Sequence, residues 1–265
     1  MTVGDRGSGL PLDPTFPDSS FLALLEHNGI QPTWDVDTSG VLPDVPDGTT
    51  VLALRYRDGV AMAGDRRATA GNVIAHRRVK KVYPADQYAA VAISGTAGMA
   101  IELIKLFQTE LEHYEKIEGS RLSLEGKANY LARLVRGHLP LAFQGLVIVP
   151  LLCGYDERDQ EGRLYTFDVV GGRYEEQDYA TTGSGGAEAR SFLKAIYRED
   201  LPEADALNAA VEALVAAAEE DAATGGPDIR RGIYPNLVTV TADGFREIET
   251  EQVGDIAASV MEGRP

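Results

Sequence analysis

Residues 47–64 read DGTTVLALRYRDGVAMAG. Two apolar-rich runs, VLALRY and VAMAG, flank Arg57-Asp58-Gly59, and an Asp-Gly pair between such runs signals a β-hairpin. Outward from this hairpin, QYAAVAIS at about 87–94 is another strand. Two helical patterns follow. In the first, Ala100, Leu103, Ile104, Phe107, Leu111 and Tyr114 recur at helical spacing, with Gly119 as its stop. In the second, Ser123 is the cap, and Leu124, Ala128, Leu131, Val135 and Leu139 form the stripe, with Pro140 near its end. Strands return at 146–155, at 163–170 and in one short run near 173–181. The turn TTGSGGAEA leads into helical ARSFLKAIYRE, and Pro202 opens a further helix through ALNAAVEALVAAAEED. The last strands are NLVTVT (236–241) and FREIET (245–250), parted by Ala242-Asp243-Gly244. Strands, two helices, strands, two helices, strands is not the alternation of a parallel doubly wound sheet. Two mainly antiparallel sheets face to face, with a helix pair outside each, would bury every apolar stripe.

The segment before the hairpin has a different texture. Residues 1–48 carry eight acidic side chains against one base, Arg6, and hold six of the thirteen prolines. Their one cohesive piece is SSFLALLEHNGI, where Ser19 or Ser20 would cap a short helix ended by Gly29. A regulatory tail and a removable pro-segment both fit this composition. The whole chain of 265 residues has a net charge of −16. Such a balance argues against nucleic-acid binding, which needs a clustered basic surface. No run reaches the ~18 apolar residues of a membrane helix, and no basic-then-apolar leader opens the chain. A cytoplasmic protein without membrane or nucleic-acid partners is the expectation. The lone cysteine, Cys153, lies in LVIVPLLCGY and reads as a buried structural thiol.

Common catalytic signatures are missing. Ser94 in AISGT and Ser184 in TGSGG do not form the G-x-S-x-G elbow of serine hydrolases. The glycines at 183–186 lack the G-K-[ST] of a phosphate loop. His27, His76, His113 and His138 show no metal-ligand spacing, so neither metal nor cofactor is expected. Thr49 remains. Its plain reading is a β-branched residue suited to a strand start. Its sharper reading is a nucleophile awaiting release. A threonine hydroxyl needs a base, and the residue's own α-amine, with a pKa of about 7.7–8.0, is one within reach. That amine exists only if the Gly48–Thr49 bond is cut, and Gly48 gives the backbone freedom for a strained turn there. Asp65 in AGDRRAT ends the second hairpin strand, which returns it to the vicinity of Thr49. Lys81 in VKKVYP would favour the threonine alkoxide, held in place by a carboxylate. Gly95 in SGTAG ends a strand just before a helix, where its N–H is placed to donate to an oxyanion.

TTVLALRYRDGVAMAGDRRATAGNVIAHRRVKKVYPADQY, together with SGTAG, YATTGSGGAEA and EEDAATGGPDIRRGIYPNLVTVTADG, resembles a catalytic proteasome β subunit of the actinobacterial type. The resemblance runs from Thr49 to about Asp243. It implies the N-terminal-nucleophile hydrolase fold, a four-layer αββα sandwich of class α+β at 49–265. It also implies a propeptide, 1–48, removed by self-cleavage between Gly48 and Thr49. Thr49 is then nucleophile and, through its amine, base. Asp65 and Lys81 support it, and Gly95 donates to the oxyanion. Ser184 and Asp221 match the family's outer serine and aspartate. Thr224 stands where the family usually has serine, and it keeps a hydroxyl. The backbones of Thr69, Gly95 and Ala97 would hold a polypeptide substrate as an added strand. Ala68, Val79, Ile93 and Ala97 would line a pocket suited to hydrophobic residues. The partners implied are a homo-heptameric β ring stacked on a second one, α-subunit rings, an ATP-dependent unfoldase ring, and substrates tagged by a small ubiquitin-like protein. A non-catalytic ring subunit and a small-molecule amidase of the same fold are the rival readings.

Overall fold

Alternation along the strands decides the layering. In β1 (Thr50–Tyr56), Leu52, Leu54 and Tyr56 point one way while Val51 and Ala53 point the other. Its hairpin partner β2 (Gly59–Gly64) does the same with Ala61 and Ala63 against Val60 and Met62. Successive strand side chains face opposite sides of a sheet, so a strand apolar on both faces must be covered on both. Residues 48–263 are described by the computed structural model, and in them this demand is met by four layers.

After the hairpin come β3 (Ala68–Ala70), β4 (Val73–His76), β5 (Val82–Asp86) and β6 (Ala89–Gly95). Helices α1 (Ala97–Glu118), α2 (Leu124–Gly137) and the single turn α3 (Leu139–Ala142) follow. Then come β7 (Ile148–Asp156), β8 (Glu161–Phe167), β9 (Arg173–Glu176) and β10 (Tyr179–Gly183). Next are α4 (Gly186–Ile196), α5 (Glu203–Glu220) and a 3₁₀ turn at Ile229–Arg231. The last elements are β11 (Asn236–Thr241), β12 (Gly244–Glu247) and α6 (Thr250–Glu262). One antiparallel sheet has the order β10-β1-β2-β11-β12 and the other β5-β6-β7-β8-β9, while β3 and β4 form a separate hairpin.

Three apolar layers cement the four. Val51, Ala53, Met62, Ala90, Ala92, Leu151, Cys153, Leu164 and Val238 fill the space between the sheets. Leu52, Leu54 and Ala63 pack on Leu193, Leu207, Val211 and Leu214 of α4 and α5, with Val253 and Val260 of α6. Val91, Ile93 and Leu152 pack on Leu103, Phe107, Ala128 and Leu131 of α1 and α2. This is the αββα sandwich of class α+β expected from the element order. Cys153 is fully buried, and burial pushes its thiol well above the ordinary range.

The local signals hold at the helix ends. Gly119 adopts the left-handed conformation at φ 68 and closes α1, as a glycine just past a helix should. The Ser123 hydroxyl accepts the Gly126 N–H at the start of α2. Several expectations need correction. Leu139 is not on the α2 stripe, because α2 ends at Gly137 and Pro140 sits in the first turn of α3. The single strand near 173–181 is two, β9 and β10, which join different sheets. The strand through Thr250 stops at Glu247, and Thr250 begins α6. The helix proposed around Ser19, Ser20 and Gly29, and residues 1–47 of the propeptide, lie outside the described residues. Among the described residues no helix is long and apolar enough to cross a membrane.

Candidate active site

One end of the first sheet gathers the polar residues. Hairpin pairing sets Val51 opposite Gly64, so Asp65 arrives beside Thr50. The Asp65 N–H donates to the Thr50 carbonyl at 3.1 Å, and the Thr50 N–H donates to Asp65 Oδ1 at 2.8 Å. Asp65 Oδ2 accepts the N–H groups of Arg67 (2.8 Å) and Gly225 (2.9 Å). Lys81 stands immediately before β5, its N–H held by Asn236 Oδ1 at 3.0 Å. Asp65 is fully buried and Lys81 only 5% exposed.

The Lys81 ammonium uses all three protons. They go to Asp65 Oδ1 at 2.5 Å, to the Arg67 carbonyl at 2.5 Å and to the Gly48 carbonyl at 3.1 Å. Burial pulls the Lys81 pKa below its ordinary value, and the Asp65 carboxylate acts in the opposite direction. An ammonium so placed yields a proton more readily than one in water. With the Gly48–Thr49 bond intact, Lys81 is thus engaged with the carbonyl oxygen of that bond. Sequence reasoning expected it near the threonine oxygen, and Thr49 and Lys81 do line one cavity.

Gly48 occupies a conformation that other residues reach only with strain. Its φ is +91, and a Cβ added there would lie 2.6 Å from Thr69 Oγ1 and 2.9 Å from Ala223 Cβ. Gly183, paired with Thr50, has φ +102, and a Cβ on it would fall 1.6 Å from the Thr49 carbonyl oxygen. The two glycines let three stretches of backbone close on Thr49.

A second cluster flanks the first. Ser184 follows β10 directly, and its N–H donates to the Thr49 carbonyl at 2.9 Å. Its hydroxyl and that of Thr224 both donate to Asp221 Oδ2 at 2.6 Å. Asp221 caps the end of α5 and also accepts the Ala223 N–H at 3.0 Å. Burial works to raise the Asp221 pKa, but the hydrogen bonds from Ser184, Thr224 and nearby backbone outweigh it and hold the carboxyl below its usual range. Sequence reasoning did not assign Thr50, whose hydroxyl lies 2.5 Å from that of Thr224. Nor did it assign the Arg67 carbonyl and the Gly225 N–H, since backbone groups leave no mark on residue type.

The remaining predicted residues divide. Ala68, Val79, Ile93 and Ala97 line a cavity of about 20 Å³ with Gly48, Thr49, Lys81, Tyr83 and Ile101. An outer groove of about 770 Å³ shares Ala68, Val79, Tyr83, Ala97 and Ile101 with it. Thr69 lies against Gly48. Gly95, at φ +107, forms the junction of β6 and α1 and does not line this cavity. A larger cavity of about 980 Å³ opens at the other end of the sheet, around the β1–β2 turn. There Arg55 pairs with Glu161 and Arg246 with Glu203, while Asp58, Asp178, Glu199, Asp200 and Asp243 leave the lining acidic.

A four-layer αββα sandwich with a buried lysine–aspartate pair against the residue that precedes β1 is the architecture of the N-terminal-nucleophile hydrolases. Within that class the comparisons are specific. A family model described as "Proteasome subunit" matches residues 45–229. "Proteasome subunit beta" of Acidimicrobium ferrooxidans is 51% identical over 95% of this chain and 93% of its own length. "Proteasome subunit beta" of Streptomyces griseus is 52% identical over 83% of this chain and 79% of its own. "Proteasome subunit beta 2" of Thermomonospora curvata is 47% identical over 100% of this chain and 96% of its own. The chain belongs to the proteasome subunit family, among its β-type members, and membership carries peptidase chemistry with it.

Proposed function

We propose that the chain is the catalytic β subunit of a proteasome core particle, a threonine-type endopeptidase that creates its own nucleophile. The observation that carries this reading is the buried Lys81, which donates at once to Asp65 and to the carbonyl oxygen of Gly48. In the first reaction Thr49 Oγ1 attacks the Gly48 carbonyl carbon. Lys81 stabilises the charge that develops on the carbonyl oxygen. The Gly48–Thr49 C–N bond breaks as the proton lost from Oγ1 is delivered to the departing nitrogen, which leaves an ester on Thr49 and a free α-amine. Water hydrolyses the ester, and residues 1–48 depart as a propeptide ending in a carboxylate.

The same hydroxyl then works on other chains. The α-amine takes the proton of Oγ1 as the oxygen attacks a substrate carbonyl, and gives it to the departing amine. The Gly95 N–H is assigned to the resulting oxyanion. Water completes turnover by cleaving the acyl ester. Ser184, Asp221 and Thr224 orient the amine. Thr69, Gly95 and Ala97 hold the substrate backbone, and the pocket of Ala68, Val79, Ile93 and Ala97 takes an apolar side chain. Subunits form heptameric β rings, two of them stacked between α rings in the cytoplasm. An ATP-dependent unfoldase ring delivers polypeptides carrying a small ubiquitin-like tag.

Intact mass and peptide hydrolysis decide the matter on one preparation. The wild-type particle should hold chains beginning at Thr49 and hydrolyse peptides ending in an apolar residue. Thr49→Ala should keep residues 1–48 and lose hydrolysis altogether. A Thr49→Ala particle that still turns over peptide would overturn the assignment. A wild-type particle that keeps Gly48 joined to Thr49 in every copy would indicate a non-catalytic ring subunit.

A further inference from the structure

The second threonine of the site takes no part in the two reactions of Thr49. Thr50 is fully buried, so its hydroxyl must find partners within the protein. It has two: the Gly185 N–H at 2.9 Å and Thr224 Oγ1 at 2.5 Å. The direction of the second bond follows from counting protons. An ionised carboxylate only accepts, so Ser184 and Thr224 both spend their single hydroxyl protons on Asp221 Oδ2. Thr224 then has only lone pairs left for Thr50. The proton between the two threonines therefore belongs to Thr50, whose own oxygen accepts from Gly185. One polarity results: Gly185 N–H to Thr50, Thr50 to Thr224, Thr224 to Asp221, with Ser184 entering from the other side.

Gly185 is built for this contact. A Cβ on it would lie 2.6 Å from Thr224 Oγ1 and 2.8 Å from Thr50 Oγ1, so any larger residue would part the chain of hydroxyls. The backbone of Thr50 serves the other carboxylate, since its N–H donates to Asp65 Oδ1 at 2.8 Å. One residue thus ties both acids of the site, directly beside Thr49.

We propose that Thr50 is a positioning residue for the Thr49 reaction: its hydroxyl proton sets the direction of the Thr224–Asp221–Ser184 network and so keeps Asp221 ionised next to the reacting amine. The proposal rests on the reading of Thr49 as nucleophile. A donor on the Thr224 oxygen makes the Thr224 proton a better one, and that strengthens the bond to Asp221. The charged groups facing Asp221 are Lys81, on which its charge acts, and Arg67, whose guanidinium donates to the Ala222 carbonyl at 2.8 Å. Asp65 is joined to the same turn through Gly225, and Glu220 on Asp221's own helix is exposed. Replacing the Thr50 hydroxyl leaves all four in place.

Thr50→Val keeps the branched shape of a strand residue and removes the proton. Rates are taken on the assembled particle, per chain beginning at Thr49 by intact mass. The expected result is a roughly tenfold fall in kcat with KM unchanged. The acid limb of the kcat profile should also move to higher pH, because Asp221 loses support for its charge. Thr50→Ser should restore both. In a Thr224→Val background, where the chain of hydroxyls is already cut, Thr50→Val should cost nothing more. Should Thr50→Val fail to mature, Thr50→Cys, a weak donor of similar size, is read in its place against the same outcomes. A wild-type rate and profile for the variant would overturn the proposal. So would equal damage from Thr50→Ser, or simple additivity with Thr224→Val. Thr49→Ala separates the two levels. If it is inactive while Thr50→Val is normal, only the Thr50 proposal fails; if Thr49→Ala is active, the nucleophile reading fails beneath it.

Discussion

Gly48 shows how a single residue without a side chain shapes the reaction proposed here. Its φ of +91 aims the carbonyl oxygen at Lys81, 3.1 Å away, while Thr69 and Ala223 fill the space where a Cβ would stand. Alanine at this position meets both the strain of a positive φ and a collision with backbone-anchored neighbours. The carbonyl must then turn or shift, and a displacement near 1 Å at a reacting centre costs on the order of a hundredfold in rate. Gly48→Ala should therefore slow the appearance of chains beginning at Thr49 by at least about tenfold, followed by intact mass after synthesis. Peptide hydrolysis per mature chain should stay at the wild-type value, since Gly48 has left by then. Equal rates of maturation in the two proteins would show that the Lys81–carbonyl contact does not guide cleavage.

Elements place these residues, and one of them carries its own test. The α2 stripe of Leu124, Ala128 and Leu131 faces the core as its periodicity says, but Lys127 lies on that face too, only 3% exposed. Its ammonium meets Asp86 Oδ2 at 2.6 Å, at the end of β5, and Asp86 Oδ1 accepts the Tyr88 N–H at 2.9 Å. The pair pins the helix to the β5–β6 hairpin, whose far end carries Ile93 and Gly95. Lys127→Ala strands a largely buried carboxylate and should cost about 3 kcal/mol. Lys127→Met combined with Asp86→Asn should recover most of that. Urea midpoints of the unassembled chain compare the three, and an unchanged midpoint for Lys127→Ala would deny the pair any structural weight. A lysine in an apolar stripe reads as solvated from sequence, because its partner is supplied by another element. The same limit explains the other misses. Strand β4 is mostly exposed and shows no alternation to read. Strands β9 and β10 are separated only by Gln177 and Asp178, too little to reveal that the chain changes sheets there. Helix α6 did carry a signal, Val253, Ala257 and Val260 at helical spacing, hidden behind a run that looked like strand through Thr250. In the site, Asp65 was legible because a hairpin of known length fixes where its ends meet, whereas Lys81, which stands before β5, was placed beside it only through the family resemblance. Thr50, Gly185 and Gly225 were not, since what they contribute is a proton direction or a backbone N–H.

Across the whole molecule charge is unevenly divided. The chain carries −16, of which −7 lies in residues 1–48. Cleavage at Gly48 would thus leave each subunit with roughly half of its charge. In the ring proposed above, copies would repel through this charge, and the repulsion would fade once the Debye length drops below their spacing. Two inactive proteins isolate the effect: Thr49→Ala with residues 1–48 retained, and the same variant started at position 49. As salt rises from about 0.01 M to about 0.1 M, the Debye length falls from roughly 30 to roughly 10 Å. Ring formation by the long form should tighten markedly over that range, and that of the short form much less, as read by sedimentation across a concentration series. If residues 1–48 promote assembly through contacts of their own, the long form will assemble better than the short one even at low salt. That outcome would make the acidic segment an assembly element rather than a charged cover over Thr49.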